Sequence, residues 1–230
     1  YNTGSVTGSG RYVGGVVGYN VNGTVTNCYN TGSVTGIYEV GGVVGYNRDT
    51  VENCYNTGSV TGSSRYVGGV VGDNYGTVTN CYNTGSVTGS GYRVGGVVGE
   101  NYSTVTNCYY QSGCAKDVND TVQYGIGNET QGSTTDDISG QTTGLTNAQM
   151  KSQASFVGFD FDTVWTMAGN PDYPYPELIG MEHVFEPAIN AEFDNAGETI
   201  NISITTENIP ETAKIYVASY DEIGKLKEIK

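Results

Sequence analysis

The segment VGGVVG returns four times at a constant step of 27 residues, starting at Val13, Val40, Val67 and Val94. A fixed period in this range marks a repeat architecture, in which each copy is one structural unit and neighbouring copies stack. The unit is clearest over residues 29–54, and it returns over 55–81 and 82–108. This period constrains the fold more than any other feature of the chain.

Glycine is too frequent inside the repeat for a helix, because each interior glycine costs about 1 kcal/mol relative to alanine. The other common residues are Val, Thr and Tyr, which suit half-buried strands. Turn residues divide one repeat into three expected strands, Ser33–Thr35, Val40–Val44 and Thr50–Cys54. The sequence therefore predicts an all-β fold, a parallel β-solenoid with one coil of about 27 residues per repeat.

Alternation indicates which side chains face inward. Val25 and Val34 are each flanked by hydroxyl residues, so these valines are expected to point into the coil and the hydroxyls outward. Stacking in register then puts like residues on like. An amide ladder at a corner is expected from Asn27, Asn53, Asn80 and Asn107. An outward aromatic ladder, the candidate ligand-facing surface, is expected from Tyr29, Tyr55, Tyr82 and Tyr109.

One cysteine also falls in each coil, at Cys28, Cys54, Cys81 and Cys108. Stacked neighbours lie about 4.8 Å apart with parallel Cβ vectors, which suits packing better than a disulfide. A metal site needs ligands that converge in one small volume, which one cysteine per coil does not supply. The prediction is a column of buried free thiols. Cys114 lies off this column, and a bridge between it and Cys108 stays open.

The repeat resembles a known family. The segment G-V-V-G, preceded by YNTGSVTG and followed by TVTNCYN, is similar to the GLUG repeat, with Val where the family name has Leu. The resemblance covers residues 1–114. It implies a large secreted or wall-bound bacterial protein, as in adhesin-like proteins and the non-catalytic region of some immunoglobulin A proteases. It carries no catalytic residues to transfer.

Residues 115–182 are predicted to form a degenerate last coil and a C-terminal cap with a short helix. Thr146 and Gln149 make a capping-box pattern for that helix. The segments TTGLTNAQM and FVGFDFDTVWTM resemble the ending of GLUG arrays, so their Phe and Trp side chains are expected to plug the end of the core. The alternative to packing is a sugar-binding aromatic box made of Trp165, Tyr173 and Tyr175.

Residues 183–230 change pattern again. Ile200, Ile202 and Ile204 alternate with polar residues, which predicts the start of an immunoglobulin- or fibronectin-like β-sandwich. The chain begins inside a repeat and ends inside a strand-like segment, so it is expected to be a piece of a longer protein.

Composition and motifs exclude several function classes. Nearly all of the net charge of −14 lies after residue 114, and no basic patch for nucleic acid is present. No apolar run approaches the roughly 20 residues that span a membrane. The single histidine, His183, supplies neither an H-E-x-x-H zinc motif nor a recognisable triad, and no cofactor motif is found.

The sequence thus predicts a non-catalytic, cell-surface repeat region, acting as an adhesin or as a rigid spacer for other modules of the same chain. Host or neighbouring-cell glycans and matrix proteins are the expected partners. A carbohydrate-active β-helix, a polysaccharide lyase or glycosidase, is the alternative, but it needs clustered carboxylates, and the acids and arginines of residues 1–114 look scattered. Ice binding by outward T-x-T rows is a remote alternative, because Glu52 interrupts the rows.

Overall fold

The computed structural model describes residues 1–91, 93–127, 141–167 and 173–181, together with the backbone of four later strands. The chain divides into two compact units, Tyr1–His183 and Val184–Lys230. In the first unit, the strands of successive coils pair parallel and in register. It is the parallel β-solenoid that the sequence predicted, with about four regular coils.

Each regular coil contributes five short strands, one to each of five parallel sheets. The first sheet contains Val6–Thr7, Val34–Gly36, Val60–Gly62, Val87–Gly89 and Ala115–Lys116. The second contains Val13–Gly14, Val40–Gly41, Val67–Gly68 and Val94–Gly95. The third contains Val17–Asn20, Val44–Asn47, Val71–Asn74 and Val98–Asn101. The fourth contains Thr24–Thr26, Thr50–Glu52, Thr77–Thr79 and Thr104–Thr106. The fifth contains Tyr29–Asn30, Tyr55–Asn56, Tyr82–Asn83, Cys108–Gln111 and Thr142–Leu145.

The prediction of three strands per coil is wrong, because two of the expected strands contain a corner. The chain turns inside VGGVVG, where a Cβ atom on Gly41 would overlap the carbonyl oxygen of Val44. It turns again at Asn53, whose φ of 51° lies in the left-handed region that asparagine tolerates better than most residues. Glycine and asparagine therefore produce two corners in each coil that cannot be recognised from the valine pattern alone.

The predicted valine columns are confirmed. Val34 pairs with Val6 on one side and Val60 on the other, and Val25, Val51, Val78 and Val105 stack in the fourth sheet. These side chains are buried, except that of Val6, which is partly buried, whereas Thr35 and Thr61 beside them are exposed. Burying a valine side chain stabilises a fold by about 1.5 kcal/mol or more. The same gain recurs in every coil, because the valine columns make up most of the buried apolar core of the solenoid.

The amide ladder exists, but the prediction of its column is wrong. Asn27, Asn53, Asn80 and Asn107 instead occupy the left-handed corners, with φ between 50° and 52°. Two other columns form the ladders. In one, Asn30 donates to Asn56 at 2.7 Å and Asn56 donates to Asn83 at 2.8 Å. The other joins Asn20, Asn47, Asn74 and Asn101, with 2.8 Å between successive amides.

The column of free thiols is confirmed. All five cysteines are free, including Cys108 and Cys114, which are not bridged. Cys54, Cys81 and Cys108 are buried, and their Sγ atoms lie 3.1–3.3 Å from carbonyl oxygens two residues earlier. Burial raises the pKa of the Cys81 thiol well above its ordinary value and that of Cys114 to about 12.

A partial fifth coil and a short helical segment follow the array. Ile126 bridges to Val98, and the strand Thr142–Leu145 then extends the fifth sheet. The predicted capping box is present, since Thr146 Oγ1 accepts from the Gln149 amide at 3.3 Å and Gln149 Oε1 accepts from the Thr146 amide at 2.9 Å. The α-helix spans Asn147–Met150, a 3₁₀ turn spans Gln153–Ser155, and Trp165–Thr166 pairs antiparallel with Glu177–Leu178.

The second unit contains two antiparallel strand pairs among the described residues. Ala188–Phe193 pairs with Ile200–Thr205, the strand that the isoleucine alternation predicted. Ala218–Tyr220 pairs with Leu226–Ile229. The β-sandwich stays a prediction, as do the domain limits at residues 114 and 182. His183 lies outside the described residues.

A pair of neighbouring substitutions tests the inward and outward assignments. Val60 is 1% exposed, so Val60→Asp places an unpaired carboxylate in the core and should destabilise the protein by more than about 2 kcal/mol. Thr61→Asp, one residue later on the exposed side, should change stability by less than about 0.5 kcal/mol. Denaturant unfolding measures both, and equal losses would contradict the assignment.

Alkylation tests the thiol column. In the native protein, iodoacetamide should leave Cys54 and Cys81 unmodified, because both side chains are fully buried and inaccessible to the reagent. The half-buried Cys28 should react first within the column, and all five thiols should react in denaturant. Mass spectrometry reads the sites, and a disulfide between Cys28 and Cys54 would be incompatible with packing alone.

Candidate functional site

The tyrosine column that the sequence placed on an open face is buried. Its four members have relative exposures between 0% and 8%. The ring centroids of Tyr29 and Tyr55, and of Tyr55 and Tyr82, are 5.0 Å apart and the rings are nearly parallel, so the predicted stacking is present. We call Tyr29, Tyr55, Tyr82 and Tyr109 the buried tyrosine ladder. The sequence predicted that these side chains face outward toward a ligand. That prediction is wrong, because all four are buried.

Aromatic side chains from residues 156–165 cover the buried tyrosine ladder. Phe156 lies 5.0 Å from Tyr109 between ring centroids, and Trp165 lies 5.8 Å from Tyr82 and 6.1 Å from Tyr55. The covering segment therefore runs back along the side of the solenoid, from the last regular coil toward earlier ones. These aromatics form a cluster separate from the two valine clusters, so the expectation that they plug the end of the core is wrong.

Hydroxyl groups of this ladder also make hydrogen bonds within the protein. The Tyr82 hydroxyl lies 2.7 Å from that of Tyr173 and donates to the carbonyl oxygen of Pro176. Tyr109 donates to the carbonyl oxygen of Val157 at 2.8 Å. Burial raises the pKa of Tyr82 and Tyr173 well above the ordinary value. Since Trp165 is fully buried as well, the packing interpretation of this segment is confirmed over the sugar-binding aromatic box.

A second tyrosine column, on another side of the coils, faces solvent. Its ring centroids are 5.0, 5.5 and 4.6 Å apart in succession. The side chain of Tyr102 is 54% exposed, and those of Tyr19 and Tyr75 are exposed too. We call Tyr19, Tyr46, Tyr75 and Tyr102 the exposed tyrosine ladder. Because the ring faces stack on one another, the ladder presents ring edges and hydroxyl groups to solvent.

Sequence reasoning missed this ladder because its members do not keep one position in the repeat. Tyr19 and Tyr46 come directly before an asparagine of the buried amide ladder, whereas Tyr75 and Tyr102 come directly after one. The rings still stack, since both positions lie at the same corner. The sequence signal that could have revealed the ladder is the replacement of Tyr by an acid, Asp73 and Glu100, in the third and fourth repeats.

Those acids belong to a buried charged group next to the exposed tyrosine ladder. Asp73 and Glu100 occupy the register position of Tyr46, one coil apart. Together with Glu39 they are 1–3% exposed, and we call these three residues the carboxylate cluster. The acids of the repeats looked scattered in the sequence, and that expectation is wrong for these three.

Two arginines hold two of the three carboxylates. Arg11 Nε donates to both oxygens of Glu39, at 2.9 and 2.8 Å. Arg93 Nε lies 2.6 Å from a Glu100 oxygen, and its Nη1 donates to the Tyr102 hydroxyl at 3.4 Å. Charge-assisted bonds of this kind are stronger than neutral ones, and they compensate the cost of burying the two charges. Arg93 also ties the cluster to the exposed tyrosine ladder.

Asp73 differs from its two neighbours. Its buried Oδ1 atom has no hydrogen-bond partner among the described residues. Burial, followed by the charges of Glu39 and Glu100, raises the pKa of Asp73 to about 7. The cluster can therefore take up or release a proton near neutral pH.

No group of three or more His, Cys, Asp or Glu side chains within the described residues is arranged to hold a metal ion.

The raised pKa of Asp73 predicts an unusual pH dependence of stability. Between its ordinary value of 3.8 and about 7, the folded protein keeps a proton that the unfolded chain has lost. Stability should therefore fall as the pH rises through this window, and the loss should be complete above it.

Asp73→Asn removes the titration, so its melting temperature should exceed that of the parent by more at about pH 8 than at about pH 5. Asp49→Asn, outside the cluster, is the matched control and should show no such difference. Thermal melts at both pH values measure it. A gap of the same size at both pH values would contradict the raised pKa and would mean that Asp73 is charged throughout this range.

The comparison with family models agrees with the geometry of the coils. The model of the GLUG motif matches residues 9–35, 36–61 and 63–88. Neither the search of curated proteins nor the search of solved structures found a match. In the part of the chain that the structure describes, no helix has both the length and the apolar character to cross a membrane.

Proposed function

We propose that this chain, whose GLUG-motif repeats build a parallel β-solenoid, is a non-catalytic region of a bacterial cell-surface protein that acts as an adhesive rod. The family and the fold fit a repeat-type surface region. The observation that carries adhesion is the exposed tyrosine ladder. Exposed, ordered aromatic side chains in a row provide contact area without a large entropic cost on binding.

The rod itself is well suited to hold such a face in place. Two buried amide ladders and five sheets join every coil to its neighbours. The stretch of residues 156–165 packs its aromatic side chains on tyrosines of several coils, so it links coils that do not touch each other directly. A ligand-binding row on this framework keeps its spacing, which lowers the cost of binding an extended partner.

A screen against glycans and matrix proteins tests adhesion. The protein, attached to beads through its C-terminal end, should bind at least one host or neighbouring-cell glycan or matrix protein. A variant with Tyr75→Ser and Tyr102→Ser should lose most of that binding, because both side chains are exposed and contribute little to the core. Tyr124→Ser, an exposed tyrosine outside the ladder, is the matched control. Absence of any ligand would leave the rigid spacer as the function.

The carboxylate cluster gives one specific reason to keep a second candidate, a carbohydrate-active β-helix. Lyases and glycosidases on this fold need acids and arginines on one face, and Glu39, Asp73, Arg11 and Arg93 lie on one face here. We favour the non-catalytic function because the three carboxylates are buried and two of them are held by arginines. Release of new reducing ends or unsaturated products from pectin or host glycans, lost in Asp73→Asn, would reverse that preference.

A further inference from the structure

A groove lies beside the exposed tyrosine ladder. It has a volume of about 550 Å³ and is lined mainly by Arg11, Tyr38, Glu39, Arg65 and Tyr66. Tyr12 connects the groove with the ladder, because its ring centroid is 5.4 Å from Arg11 Cζ and 4.9 Å from the ring centroid of Tyr19. The groove is therefore continuous with the face that the adhesive function uses.

The groove has a repeating pattern of charge along the solenoid axis. Arg11, Tyr38 and Arg65 are 27 residues apart, and each lies two residues before a valine of the second sheet, where successive coils are in register. The three residues thus lie on three successive coils. Two arginines two coils apart are separated by roughly 10 Å, with the exposed Tyr38 between them.

Both arginines have donors available for a ligand. Arg65 is exposed, its Cζ atom lies 5.7 Å from the centroid of the Tyr66 ring, and it has no carboxylate partner among the described residues. Arg11 uses its Nε on Glu39, and its two terminal nitrogens make no hydrogen bond within the described part of the chain. A guanidinium with free N–H groups matches the geometry of a carboxylate.

We propose that this groove binds a linear acidic glycan in which every second sugar carries a carboxylate, lying along the solenoid axis. The inference rests on the proposed adhesive function and specifies its ligand. Successive carboxylates of such a glycan are one disaccharide apart, a length comparable with two coil spacings, so they meet Arg11 and Arg65 in turn. The intervening neutral sugar then lies over Tyr38, which offers an aromatic ring and a hydroxyl group.

An acidic peptide fits the same arginines less well. In an extended peptide, side chains on one face recur about every 6.6 Å, whereas the two arginines are separated by roughly 10 Å. The net charge of −14 also repels any polyanion at long range, so binding depends on local contacts in the groove and not on a general positive field. The spacing of the two arginines therefore favours the glycan.

Direct binding measurements test the proposal. The probes are a hyaluronan oligosaccharide, in which alternate sugars carry a carboxylate, the same oligosaccharide after carboxyl reduction, and poly-glutamate. Titration calorimetry at about 0.15 M salt should detect hyaluronan binding that is lost on carboxyl reduction and exceeds that of poly-glutamate. Arg65→Gln should weaken it at least about 10-fold, because a charge-assisted pair is lost.

The matched control is Arg48→Gln, which removes an exposed arginine outside the groove and should change the affinity less than about twofold. Circular dichroism checks that both variants fold. Equal losses in the two variants would overturn the proposal, as would tighter binding of poly-glutamate or no binding of hyaluronan. If hyaluronan fails while another glycan or a matrix protein binds through the tyrosine ladder, the adhesive function stands and only this inference fails.

Discussion

Stacking of each coil directly on the one before it, in register, is the constraint on which the rest of the structure depends. Parallel pairing about 4.8 Å apart brings equivalent residues of successive repeats into contact. Such contacts stabilise the fold only when the residue tolerates a copy of itself as a neighbour. Valine does so by packing, asparagine by donating and accepting at once, and tyrosine by stacking. These three residue types supply the columns of this solenoid.

The same constraint explains the character of the charged group. A carboxylate cannot be stacked on a copy of itself without cost, yet Asp73 and Glu100 replace tyrosines in adjacent coils. Arg11 and Arg93 offset the repulsion at Glu39 and Glu100, and the raised pKa of Asp73 relieves it at the remaining position. Several charged departures from the repeat therefore lie close together, beside the exposed tyrosine ladder.

The segment that follows the coils adds a type of contact that the repeats cannot make. A coil touches only its neighbours, so a regular solenoid has no interaction across several coils. The aromatic residues Phe156 and Trp165 lie across successive members of the buried tyrosine ladder. Each of these side chains is buried against tyrosines of more than one coil. The stability of those coils is therefore coupled. One tyrosine column is consequently covered by protein, and the other stays exposed to solvent.

The sequence by itself determined the repeat, the parallel β-solenoid, the inward valines and the free thiols, because each follows from a local pattern multiplied by a fixed period. It also determined the helix cap at Thr146, which depends on four adjacent residues. Only the tertiary structure decided which tyrosine column is covered, because a segment more than 45 residues from Tyr109 has to fold back onto it. It also decided that Glu39, Asp73 and Glu100 meet. Asp73 and Glu100 share one position in the repeat and Glu39 has another, and only the path of the chain around its corners brings the two positions together.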